Sequence, residues 1–197
     1  MTATTTTDAD AQAVVLVEGL SDRFALESLA RRRGRDLGAE GVHVVAMKGV
    51  TNIGHFLDRY GPRGLGARLA GLYDAAEEGC IRRGLERAGL GLRPSRAEME
   101  RLGFFSCAAD LEDELIRALG TDEVEQIIER EGELGSFRIL QRQPAQRERS
   151  THDQLHRFMG SRSGRKHRYA RLLADAVDLA RVPRPLDRVL LHASDDQ

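Results

Sequence analysis

A short apolar run that gives way within a few residues to a helical period occurs four times in the first 120 residues of this chain, and no other feature constrains the fold as strongly. Ala13 to Val17 (AVVLV) meets Glu18-Gly19, and from Ser21 the apolar positions Phe24, Leu26 and Leu29 take helical spacing, with Ser21 or Asp22 expected as the cap. Val42 to Met47 is the second strand, followed by a Lys48-Gly49 turn and a helix through Ile53, Phe56 and Leu57 to Tyr60. After a Gly61 to Gly66 loop come a third strand, Arg68 to Tyr73, and a third helix, Glu77 to Ala88. The Gly89 to Pro94 linker leads to a helical turn over Arg96 to Arg101, a fourth strand over Leu102 to Cys107 and a helix over Asp110 to Leu119. Strands that alternate with helices through short turns pack as a parallel sheet covered on both faces, so residues 12–120 are expected to form an α/β body.

From Thr121 onward the strand-like runs stop. Ile127-Ile128, Phe137 to Leu140, Leu155 to Met159 and Tyr169 to Leu179 carry helical patterns, which predicts a helical C-terminal extension over residues 121–190 and a tail over 191–197. Residues 1–11 are Thr-rich, lack an apolar period and are expected to be a disordered leader. With 197 residues the chain suits one domain with decoration. Its apolar runs fall far short of the roughly 20 residues a membrane span needs, and the N-terminus lacks a basic-then-apolar signal. A cytoplasmic protein with no membrane partner is therefore expected. The two cysteines, Cys80 and Cys107, are too few for a disulfide framework and lack histidines at zinc-finger spacing, so they read as reduced thiols.

The net charge of −1 conceals an asymmetry. Ala108 to Glu133 holds ten acids against two arginines, whereas Arg138 to Arg168 holds nine basic residues against two acids. Such a basic segment is either a polyanion contact or a solvated helical face. The only lysines are Lys48 and Lys166.

In an open parallel sheet, ligands bind beyond the carboxyl ends of the strands. Glu18 follows the first strand, Asp74 the third, and Asp110 with Glu112 the fourth. Converging there, these carboxylates would repel one another unless a cation sat among them, and their hard oxygens suit Mg²⁺ or Mn²⁺. Each acid taken singly could equally be a helix cap. Asp113 and Glu114 point elsewhere on their helix and suit dipole compensation.

Val14 to Asp22 (VVLVEGLSD) resembles the first motif of TOPRIM domains, in which a strand delivers a glutamate followed by glycine. Met47 to Ile53 (MKGVTNI), Gly71 to Glu78 (GLYDAAEE), Asp110 to Leu115 (DLEDEL) and Ser163 to Leu172 (SGRKHRYARL) are similar to successive motifs of TOPRIM domains from the overcoming-lysogenization-defect (OLD) nucleases. The resemblance implies a Rossmann-like, four-stranded, mainly parallel sheet flanked by helices, with the extension completing the site. It implies a Mg²⁺-dependent (or Mn²⁺-dependent) nuclease acting on DNA, with DNA repair or phage defence as its setting. Glu18 and Asp74 would be principal metal ligands and catalytic residues, Asp22, Asp110 and Glu112 further ligands or supporting groups, and Lys166 the basic residue near the scissile phosphate. Apart from the resemblance, Lys48 in its Lys48-Gly49 turn could meet a phosphate or sit in a simple turn, and Arg162, Arg165 and Arg168 could hold nucleic acid or belong to the exposed start of a helix.

Two departures stand out. The family's DxD after the third strand is here Asp74-Ala75-Ala76, so the second carboxylate is missing, and Glu77 or Glu78 would have to reach back in its place. No GxxxxGK[ST] phosphate loop is present, so ATP-driven control is expected from a separate ATPase partner. Two other functions use the same acids: primase-like nucleotidyl transfer, and a catalytically weakened nucleic-acid-binding or complex-assembly module. His152 and His156, four apart on a helix, have zinc-compatible spacing but no third ligand, the alternative being a surface helix. His167 could reach a phosphate or stand in solvent. Ser161 and Ser163 suit linker or capping duty.

Overall fold

The computed structural model describes residues 11–162 and 164–194. Four parallel strands, β1 (Ala13–Val17), β2 (Val42–Ala46), β3 (Arg68–Asp74) and β4 (Phe104–Cys107), form one sheet in the order β2-β1-β3-β4. Ten α-helices accompany them among the described residues. Within the first 120 residues these are α1 (Leu20–Arg32), α2 (Ile53–Tyr60), α3 (Glu78–Arg87), α4 (Arg96–Arg101) and α5 (Leu111–Leu119). Then follow α6 (Thr121–Arg130), α7 (Leu134–Gln141), α8 (Thr151–Met159), α9 (Arg165–Ala176) and α10 (Arg184–His192). The fold is the α/β class expected, and within the first 120 residues the element boundaries shift by one or two residues. The leader expected over residues 1–11 lies, apart from Ala11, outside the described residues, as does Ser163. Of the expected tail, Leu191 and His192 finish α10, and residues 195–197 lie outside the described part.

All five residues of β1 are buried, because alternate side chains enter two different cores. Val14 and Leu16 pack with Ile53 and Leu57 of α2 and Ile81 and Leu85 of α3. Ala13, Val15 and Val17 pack on the other face with Leu26 and Leu29 of α1, Leu173 of α9, and Val189 and Leu190 of α10. Burying each such aliphatic side chain stabilises by about 1.5–3 kcal/mol. The C-terminal helices therefore share the core of the sheet and cover it. The arginine-rich end of α1 locks them down: Arg32 donates to the carbonyls of Ala174 (2.8 Å) and Val177 (2.5 Å), and Arg33 pairs with Asp187 at 2.6 Å.

Gly71 shows how tightly β3 and β4 meet, since a Cβ there would stand 2.5 Å from the Phe104 ring. The cap of α1 differs from expectation. Gly19 is the cap and Asp22 occupies the third helical position, its Oδ2 accepting from the Gly19 amide at 2.8 Å, so the carboxylate turns back toward the strand end. No helix among the described residues is long and apolar enough to cross a membrane.

Candidate metal and phosphate site

The chain leaves β1 toward β2 on one side and later returns to β3 on the other, so the strand order reverses between β1 and β3, where the carboxyl ends open a crevice. Glu18 lies one residue past β1 and Asp74 ends β3. A single 3₁₀ turn, Ala75–Glu77, then swings Glu77 back, and Glu18, Asp74 and Glu77 each offer a carboxylate oxygen within 4.8 Å of the others. All three side chains are half-buried. Glu78, the other residue expected to replace the missing acid, is excluded: it pairs with Arg82 and with Arg96, whose Nε lies 2.8 Å away.

The like charges perturb one another. Burial, reinforced by the charges of Asp110, Asp22, Glu18 and Glu77, pushes the Asp74 carboxyl up to about 7. Burial and then the charge of Glu18 push Glu77 up to about 7. Asp22 is raised by burial, against the pull of the Gly19 amide and Lys166. Glu77 Oε2 is buried without a hydrogen-bond partner. Three close oxygen donors, of which Asp74 and Glu77 resist losing their protons and Glu77 has one orphaned oxygen, fit a hard divalent cation. Glu18, Asp74 and Glu77 would hold it, with Asp22 beside them.

Glu18 and Asp74 of the trio line a cleft of about 310 Å³ together with Asp22, Asp110, Lys48 and Lys166. Lys48 is placed by a tight turn in which it takes φ 58° and Gly49 φ 116°, conformations that favour glycine at the second position. The Gly49 amide donates to the Glu18 carbonyl at 3.3 Å, which ties this turn to the first acid. Lys166, at the start of α9, lies 3.2 Å from Glu112 Oε2. Glu112 is buried, and burial pushes its carboxyl up to about 7 despite the pull of Lys166. Partial burial works against the Lys166 ammonium, but Glu112, Asp110 and Asp22 together outweigh it and raise the lysine above its ordinary value. Glu112 thus stands apart from the trio and is engaged by Lys166.

Asp110 caps α5, accepting from the Asp113 amide at 2.9 Å. Its other oxygen accepts from His156 Nε2 at 2.6 Å. These bonds outweigh burial and hold Asp110 below the usual carboxylate range, while the same contact raises His156. His152 Nε2 contacts Asp113 Oδ1 at 2.7 Å. The two histidines are therefore neither a zinc pair nor a free surface: each fastens α8 to an acid of α5. His156 is the site residue that sequence reasoning missed; its one signal was the four-residue spacing from His152.

The expected nucleic-acid contacts divide. Lys48 lines the cleft; the three arginines do not. Arg165 lies elsewhere in the fold. It is buried, with its guanidinium 4.0 Å over the Phe158 ring, 2.7 Å from Ser161 Oγ and 3.0 Å from Glu133 Oε1. Arg165 thus packs α9 against α8 and Glu133, away from the cleft. Arg168 pairs with Glu133 at 2.6 Å, and Arg162 is exposed beside it on a separate depression. Ser161 donates to the Phe158 carbonyl at 2.7 Å, in keeping with capping. Both cysteines are free thiols.

Residues 11–75 match the family model for the TOPRIM domain of overcoming lysogenization defect protein-like sequences. Among solved structures, the C-terminal region of the OLD protein of Xanthomonas campestris pv. campestris is similar over 93% of this chain and 92% of that one, at 23% identity and a TM-score of 0.73. The C-terminal region of the Burkholderia pseudomallei OLD protein is similar over 93% of this chain and 97% of that one, at 22% identity and a TM-score of 0.71. No curated protein matches the chain.

Proposed function

We propose that this chain, whose residues 11–75 match the OLD-like TOPRIM family model, is a divalent-metal-dependent nuclease that hydrolyses phosphodiester bonds in DNA. The observation that carries this reading is the convergence of Glu18, Asp74 and Glu77 within 4.8 Å at the reversal of strand order. A bound divalent cation would supply stabilisation of the charge that builds on phosphate oxygens during hydrolysis. The chain's own contribution is placement. Lys166 offers a compact positive charge in the same cleft, and Glu112 behind it holds the ammonium in its charged form. Asp110, fixed from two sides by His156 and the Asp113 amide, is an ionised acceptor that cannot swing away. Lys48 supplies a second cation at the rim.

Ala76, where the family's second acid would stand, favours the competing reading of a weakened binding module. Glu77 answers it by bringing a third carboxylate to the same place from one residue further on. Plasmid nicking distinguishes the two. Wild-type protein with Mg²⁺ or Mn²⁺ should nick supercoiled DNA, and Glu18→Gln or Asp74→Asn should lower the rate by at least about 100-fold with the fold intact. DNA binding without metal-dependent nicking would establish the binding module instead.

A further inference from the structure

Of the six phenylalanines, Phe24 alone is exposed among the described residues, with 38% of its surface accessible. Leu20, one turn earlier on α1, is 43% exposed, so the two form an uncovered apolar step. Their position gives the step meaning. Leu20 lines the acidic cleft, and so does His167, whose ring meets that of Phe24 at a centroid distance of 6.3 Å and an interplanar angle of 70°. The two rings make a corner, with the ring of Phe24 as one wall and the imidazole as the other. Lys166, next to His167, lines the same cleft.

We propose that this corner is a stacking subsite for one unpaired nucleobase of the strand whose phosphate enters the cleft. The inference rests on the reading of the cleft as a phosphodiester site and adds the form of DNA it takes. A nucleotide joins a flat π face to an anion, and the cleft offers the matching pair: an exposed apolar corner continuous with a cationic rim. Covering Phe24 with a base removes apolar surface from water and leaves the phosphate beside Lys166. In an intact duplex the base faces are already stacked on each other, so the subsite selects single-stranded, frayed or overhanging DNA. Stacking of this kind tolerates any base.

The test is binding of a short single-stranded oligonucleotide, measured by fluorescence anisotropy in Ca²⁺ and compared with the same strand carrying one abasic position. Phe24→Ala should weaken binding of the intact strand by about tenfold, and Phe24→Tyr should restore it. The abasic strand should bind wild type about as poorly as the intact strand binds Phe24→Ala, and combining the two changes should cost little more. The salt dependence should not move, since no phosphate contact is lost. Equal affinity of Phe24→Ala and wild type for the intact strand, or an equal loss for intact and abasic strands, would overturn the subsite. If Phe24→Ala binds normally while metal-dependent nicking persists, the subsite fails and the nuclease reading stands. If wild type binds no DNA in any form, both fail.

Discussion

Two charged regions of this molecule are balanced in opposite ways. Around Glu133 the charges are compensated: Arg165 and Arg168 approach its two oxygens, and Tyr169 donates to it at 2.9 Å. Glu133 lies below the usual carboxylate range, its bonds from Arg165 and Tyr169 outweighing burial. At Asp74, burial and then the charges of four neighbouring acids push the carboxyl up to about 7, while Lys166 in the same cleft is engaged by Glu112. A compensated cluster holds helices together. An uncompensated one stays costly unless a ligand offsets it, which is why it is the candidate site. In sequence the basic segment could be a polyanion contact or a solvated helical face; in the fold much of its charge is consumed by ion pairs.

The sharpest way to break that comparison is to remove one cation from each region. Lys166→Ala should depress nicking turnover by about 100-fold while leaving DNA affinity nearly unchanged. The fold should survive, because Glu112, already raised to about 7, can take up a proton when its partner goes. Single-turnover cleavage beside a binding titration separates the two effects, and unchanged turnover would return Lys166 to a structural role.

Arg165→Ala should act the other way, on stability. It leaves Glu133 facing a void between α7 and α9 and should cost about 3 kcal/mol, or roughly 6–12 °C in Tm for a chain of this size. Activity per folded molecule should hold below the transition. A variant with wild-type Tm and weakened DNA binding would make Arg165 a phosphate contact after all.

The smallest effect concerns pH. Asp74 and Glu77 sit at about 7 in the folded protein, above the roughly 4 of an unfolded carboxyl. A raised value means that the folded state holds these protons more tightly, so their contribution to stability is complete below about pH 4 and is lost as pH rises through 7. A cation that displaces the protons should reverse the loss. The rise in Tm produced by Mn²⁺ should accordingly be larger at pH 8 than at pH 6, by a few degrees, and should shrink in Asp74→Asn. An equal shift at both pH values would mean that Mn²⁺ binds elsewhere.

What the sequence determined by itself was whatever local pattern dictates. Continuous apolar runs followed by helical spacing specify a parallel sheet with helices on both faces, and the rule that ligands gather past strand ends singled out Glu18 and Asp74 before any coordinates. These readings need only short windows of chain. The helix cap at Gly19 lay within such a window and was still misassigned, because Ser21 and Asp22 are better cap residues by type and only backbone geometry shows that Asp22 reaches back instead. The tertiary structure alone decided which charges meet. His156 holds Asp110 across 46 residues, and Arg165 meets Glu133 across 32. The choice between Glu77 and Glu78 turned on a single 3₁₀ turn that sends one side chain to the acids and leaves the other to Arg82 and Arg96. An arginine bound for the core and an arginine bound for solvent are the same letter in a sequence. Burial and partner decide their role, and both are properties of chains brought together in space.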